Sequence, residues 1–152
     1  ERRAELFDSL VLMFTGVSRY ASEVALHTIS SIPNKKDTLH KIRAQVDLGR
    51  DILVDSERSI TEFGELLDEG WSLKRSIDSR IAGPEIDELY RRARGAGVIG
   101  GKLLGAGGGG FFLFFIKPED REKLKAEFKD YLFVPVEGEE RGSHVKFYTP
   151  DN

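Results

Sequence analysis

Apolar positions along the chain follow two periods. Leu10-Val11-Leu12-Met13-Phe14 is a short unbroken apolar run closed by Thr15-Gly16, the pattern of a buried strand. From about Arg19 to Ser30 the period lengthens, with Ala21, Val24, Ala25 and Ile29 on one helical face and Ser18 as N-cap. Ser31-Ile32-Pro33-Asn34 ends that helix. Asp37 is placed to cap a second helix, in which Leu39, Ile42, Val46 and Leu53 recur and Gly49 is a mild penalty. Ser59-Ile60-Thr61-Glu62 has the form of a capping box, with Glu62 reaching back to the Ser59 N–H. It opens a third helix carrying Phe63, Leu66, Leu67, Trp71 and Leu73.

Gly83-Pro84 puts proline at the first position of a fourth helix, with Ile86, Leu89, Tyr90 and Ala93 inward and Gly95 to Gly97 as its stop. Val98 to Leu104 and Phe111 to Ile116 read as strands on either side of a glycine-rich loop. Lys117-Pro118 starts a helix through about Tyr131, with Leu124 and Phe128 inward. Leu132 to Val136 predicts a strand, Glu137 to Gly142 a charged turn, and His144 to Thr149 a last alternating strand. Together these elements predict one α+β domain over residues 1–152, a small, mostly antiparallel sheet with helices packed on it.

Composition narrows the class without naming a chemistry. The 152 residues are 39% hydrophobic and 32% charged, which suits a globular domain with one core. A net charge of −3 argues against a general nucleic-acid binder. The absence of cysteine removes disulfides and thiolate chemistry, and fits a cytoplasmic location. No apolar run approaches the roughly 20 residues that span a bilayer. Glu1-Arg2-Arg3-Ala4-Glu5 holds no apolar signal region and no initial Met, which reads as a processed or excised piece.

The chemistry concentrates in Gly100-Gly101-Lys102-Leu103-Leu104-Gly105-Ala106-Gly107-Gly108-Gly109-Gly110. Such a loop reaches positive φ freely and can turn successive N–H groups toward an anion. Gly105-x-Gly107-x-x-Gly110 matches the dinucleotide-binding spacing, but that site needs a helix after the loop, and Phe111 to Ile116 is strand-like. A phosphate-binding P-loop needs Gly-Lys followed by Ser or Thr, and Lys102 is followed by Leu103. A plain hairpin needs about two to five loop residues, so four consecutive glycines exceed it. Elsewhere His27, His40 and His144 lack metal-ligand spacing. Asp87 and Glu88 suit the first turn of a helix.

The glycine stretch from Gly101 to Phe111 resembles the third conserved motif of the GHMP small-molecule kinases, a family that includes galactokinase, homoserine kinase and mevalonate kinase. Pro84-Glu85-Ile86-Asp87-Glu88-Leu89-Tyr90 and Leu12-Met13-Phe14-Thr15-Gly16-Val17-Ser18-Arg19 extend the likeness to the sugar and D-glycero-D-manno-heptose 7-phosphate kinases. The resemblance implies the ferredoxin-like C-terminal domain of such a kinase. The Pro-x-x-x-Gly-Leu-Gly-Ser-Ser-Ala phosphate loop of the family's N-terminal domain has no counterpart here, so the resemblance implies that this catalytic half is missing.

On that resemblance, Gly105, Ala106, Gly107, Gly108, Gly109 and Gly110 would face the ATP phosphates, and Thr15, Gly16, Arg19 and Lys102 the substrate. Arg19 is the chosen substrate residue, since a guanidinium binds sugar-phosphate oxygens bidentately. No residue of this chain is expected to be catalytic or to hold metal. ATP and Mg2+ would be cofactors of the complete kinase, with the Mg2+ ligands in the missing half. The expected partners are the N-terminal kinase domain, ATP and a sugar phosphate, with no nucleic acid and no membrane. The reaction implied is transfer of the ATP γ-phosphate to a sugar or heptose 7-phosphate hydroxyl, with this chain inactive alone. The alternative is a non-catalytic, stand-alone binding or interaction domain of the same fold.

Overall fold

The computed structural model describes residues 1–18, 21–138, 142, 143 and 145, and only the backbone of residues 21–24 and 27. The helices are α1 (Arg2–Ser9), α2 (Ala21–Ser31), α3 (Lys36–Val54), α4 (Thr61–Arg75), α5 (Pro84–Gly95) and α6 (Arg121–Glu127). The strands are β1 (Leu10–Phe14), β2 (Val98–Leu103), β3 (Phe111–Ile116) and β4 (Phe133–Val134). They form one antiparallel sheet in the order β2-β3-β1-β4. The α+β architecture expected from the sequence is therefore present.

The apolar strand β3 is central, and alternation sends its side chains to two faces. Phe112, Phe114 and Ile116 are buried in the main core with Met13, Val98, Leu103, Leu124 and Phe128. The buried stripe of α5, Ile86, Leu89, Tyr90 and Ala93, closes that core as its spacing predicts. On the other face Phe111, Leu113 and Phe115 stand opposite Phe14, Leu12 and Leu10 in the β1–β3 register.

Helix α4 lies against β2 and covers that edge of the sheet. A Cβ at Gly100 would sit 1.9 Å from the Gly64 carbonyl oxygen, and one at Gly64 would sit 2.6 Å from the Phe115 ring. Helix and strand therefore meet backbone to backbone. The Tyr90 hydroxyl donates to Asp68 of α4, and the Trp71 ring meets Phe112 edge-on at 5.8 Å. The Glu62 half of the capping box forms, the Ser59 N–H donating to Glu62 Oε1 at 3.2 Å, while the Ser59 hydroxyl accepts from the Thr61 N–H and Ile60 takes the cap position. Arg58 bonds the same carboxylate, and this hydrogen bond holds Glu62 below the usual carboxylate range.

Several sequence expectations shift. Helix α1 has no long apolar stripe to announce it. It is held through its own Arg2, which donates to the carbonyls of Ile52, Asp55 and Arg58, and by Arg121, which donates to those of Phe7 and Leu10. Asp37 lies in the first turn of α3, where a carboxylate suits the dipole, and Lys35 takes the cap position. Ile29 and Val46 are exposed at 61% and 60%, whereas Ile52 is buried at 1%. The helix after Pro118 stops at Glu127, although Phe128 stays in the core. The strand predicted from Leu132 to Val136 pairs only at Phe133 and Val134, because Pro135 has no N–H to continue the ladder. His144 and Lys146 to Thr149, read as a last strand, lie outside the described residues.

Candidate functional site

Strands β2 and β3 are paired as far as Leu103 and Phe112, and the Leu104 N–H donates to the Phe111 carbonyl at 2.8 Å. The chain then leaves the sheet through Gly105 to Gly110. Gly105, Gly107, Gly108 and Gly110 take φ of 73°, 113°, 77° and 99°, a region that side chains disfavour. No helix follows, so neither the dinucleotide nor the P-loop arrangement is built. The loop is held by its neighbours instead.

Two segments hold it. The Gly110 N–H donates to the Val17 carbonyl at 2.8 Å, and the Thr15 N–H donates to the Gly110 carbonyl at 2.9 Å. The buried Thr15 hydroxyl adds a second bond to the same Gly110 oxygen, also 2.9 Å. On the other side the Gly108 N–H donates to the Ile81 carbonyl at 2.9 Å. These contacts leave no room for a side chain at Gly107 or Gly109. A Cβ at Gly109 would lie 2.5 Å from the Val17 oxygen, and one at Gly107 would lie 2.8 Å from Ile81 Cα.

With Gly108 and Gly110 so engaged, the N–H groups of Gly105, Ala106, Gly107 and Gly109 have no acceptor among the described residues. Gly107 is buried. A set of successive unused N–H donors on a fixed backbone is suited to hold a phosphate or carboxylate.

A residue not anticipated from the sequence completes the loop. Lys74, in the last turn of α4, donates from Nζ to the Gly105 carbonyl at 2.7 Å and the Leu103 carbonyl at 3.2 Å. Burial pushes its pKa down to about 8, and the charge of Lys102 adds to the effect. The only sequence signal was a lysine at a helix C-terminus, which dipole and solvent already explain.

Thus the structure brings Thr15 and Gly16 to the loop, and Gly16 has φ 76° with open space around its α-carbon. Lys102 points elsewhere, into a groove between α3 and α4 that it shares with Lys74. Arg19 lies outside the described residues. Among the described residues no group of three or more His, Cys, Asp or Glu could hold a metal ion. No helix of the described chain is long and apolar enough to cross a membrane.

Comparison with known proteins agrees with this fold. The family model described as "GHMP kinases C terminal" matches residues 52–133. The D-glycero-alpha-D-manno-heptose 7-phosphate kinase of Campylobacter jejuni is 28% identical over 134 residues, covering 86% of this chain and 39% of that protein. The bifunctional fucokinase/GDP-fucose pyrophosphorylase of Arabidopsis thaliana is 34% identical over 127 residues, covering 80% of this chain and 12% of that protein. The crystal structure of Methanococcus jannaschii mevalonate kinase superposes with a TM-score of 0.71 at 22% identity, covering 88% of this chain and 41% of that one. The chain thus spans well under half the length of each of these relatives.

Proposed function

We propose, for a chain that belongs to the GHMP kinase C-terminal family, that it forms the substrate-side domain of an ATP-dependent sugar kinase. The reaction is transfer of the ATP γ-phosphoryl group to a hydroxyl of a sugar or sugar phosphate. The observation that carries this reading is the loop at Gly105 to Gly110, with four unused N–H groups and its backbone fixed by Val17 and Ile81. Phosphoryl transfer asks chiefly for positioning and for neutralising charge on the moving group, and backbone donors supply both.

In this reading Gly105 to Gly110 lie against the ATP phosphates. Lys74 fixes the start of the loop through the Leu103 and Gly105 carbonyls. Thr15 and Gly16, joined to the loop through Gly110, border the substrate, with Arg19 its phosphate ligand. A heptose 7-phosphate fits best among sugars, by the likeness to the Campylobacter enzyme. In this reading the loop serves ATP, and the Mg2+ ligands and the group that activates the hydroxyl belong to an N-terminal kinase domain.

A surface beside the loop supports such a partner. Ser31, the last residue of α2, bonds Asp78 at the start of the turn that borders the loop. The same helix exposes Leu26 at 68% and Ile29 at 61%, and Ile32 follows at 39%. Apolar side chains grouped in this way are suited to burial by a second domain.

The test is ADP release from ATP with a panel of heptose 7-phosphate, fucose and mevalonate. The chain joined to an N-terminal GHMP domain is expected to turn over a sugar or sugar phosphate and to leave mevalonate untouched. Residues 1–152 alone are expected to release no ADP. Sugar-dependent turnover by these residues alone would overturn the two-domain reading, and turnover of mevalonate alone would overturn the substrate class.

A further inference from the structure

Where Lys74 leaves the glycine loop, a groove of about 620 Å³ opens between α3 and α4. That volume is in the range that holds small molecules. Ile42, Val46, Leu53, Phe63, Leu66 and Leu67 make its walls apolar. Gly49, also in the lining, adds no side chain to fill it.

The charges on this groove are one-sided. Lys74, Lys102 and Arg50 line it, Arg50 being ion-paired with Asp51 at 3.0 Å, and no acidic side chain lines it, in a chain with 26 acidic and 23 basic residues. Lys102 has no hydrogen-bond or ion-pair partner among the described residues, and Lys74 has only the carbonyls of Leu103 and Gly105. Two neighbouring cations at one end of an apolar channel repel each other, and an anion between them removes that repulsion.

We propose that this groove binds a small single-chain amphiphile. An alkyl or acyl tail lies between α3 and α4, and an anionic head, carboxylate or phosphate, pairs with Lys102 and Lys74. The head then touches the lysine that holds the glycine loop, so occupancy biases the conformation of Gly105. This site is additional to the kinase reading and does not depend on it.

The test is isothermal titration of the full-length protein with dodecanoate, dodecyl phosphate and dodecyltrimethylammonium, each below its micelle concentration. Both anions are expected to bind one to one, and the cation at least tenfold more weakly. Each methylene removed from the tail should weaken binding severalfold. Val46→Asp places a carboxylate in the lining at a side chain 60% exposed, so it should weaken the anions at least tenfold without changing the melting temperature. Lys102→Gln should weaken them similarly. A preference for dodecyl phosphate or for dodecanoate supports the site and identifies the head group. Absence of saturable binding, equal affinity for cation and anions, or unchanged affinity in both variants overturns the proposal.

Discussion

Lys74 is a charged side chain placed where charge is costly, and its stability effect has a definite sign. Burial lowers its pKa from 10.5 to about 8. Between those values the unfolded chain holds the proton that the folded chain has lost. The unfolded state therefore binds more protons, and stability rises with pH across that window. The side chain is partly open to solvent, so screening leaves about 1 kcal/mol of the effect. Tyr90 acts in the opposite sense. Burial, with its bond to Asp68, raises its pKa above the ordinary 10. Above pH 10 the unfolded chain loses a proton that the folded chain keeps, so stability falls. Urea denaturation of the parent is expected to show a maximum near pH 10. Lys74→Met should remove the rising limb, and Tyr90→Phe the falling one.

The loop glycines separate into two kinds by what surrounds them. Gly105 has positive φ and open space, so Gly105→Ala should cost only the backbone strain, about 1–2 kcal/mol. Gly107 and Gly109 face the backbone of Ile81 and Val17. Gly107→Ala and Gly109→Ala should each cost about 2–4 kcal/mol in thermal denaturation. In the assembled kinase each should lower kcat/KM about a hundredfold, since the donors are displaced.

Among the elements, the contact of α4 with β2 is the least tolerant. Gly100→Ala would drive a methyl group into the Gly64 carbonyl. Backbone atoms cannot step aside as a flexible side chain can, so the expected outcome is loss of cooperative folding, read by circular dichroism. The clamp on α1 is milder. Arg2→Ala frees three carbonyls, one in the last turn of α3 and two in the segment after it, with an expected loss of about 1–3 kcal/mol in urea denaturation.

The same elements show what the sequence could reveal. Helix α5 and strand β3 were legible because their periodicity is strong and burial follows it. The bond from the Ser59 N–H to Glu62 was legible because it is a local hydrogen-bond pattern. Helix α1 and the exposure of Val46 depend on what packs where, and no local spacing encodes that. At the site, the glycines announced the loop, but its anchoring by Val17, Ile81 and Lys74 joins residues from distant parts of the chain. Lys102 looked like a loop cation and lies in the α3–α4 groove instead.

For the molecule as a whole, the central pairing of β1 with β3 joins Leu10 to Phe115 and Phe14 to Phe111. The first strand of the sheet thus waits for a partner near the far end of the chain. Contacts so remote in sequence form slowly, because loop closure must come before they contribute. During synthesis, Leu10 to Phe14 therefore leaves the ribosome as an unpaired apolar strand, and it stays so until Phe111 to Ile116 follows. Nascent chains arrested before Phe111 should be sensitive to protease and engaged by chaperones. Those arrested well beyond Ile116 should be protected. The glycine loop can take its shape only after that moment, so it is among the last features of the domain to form.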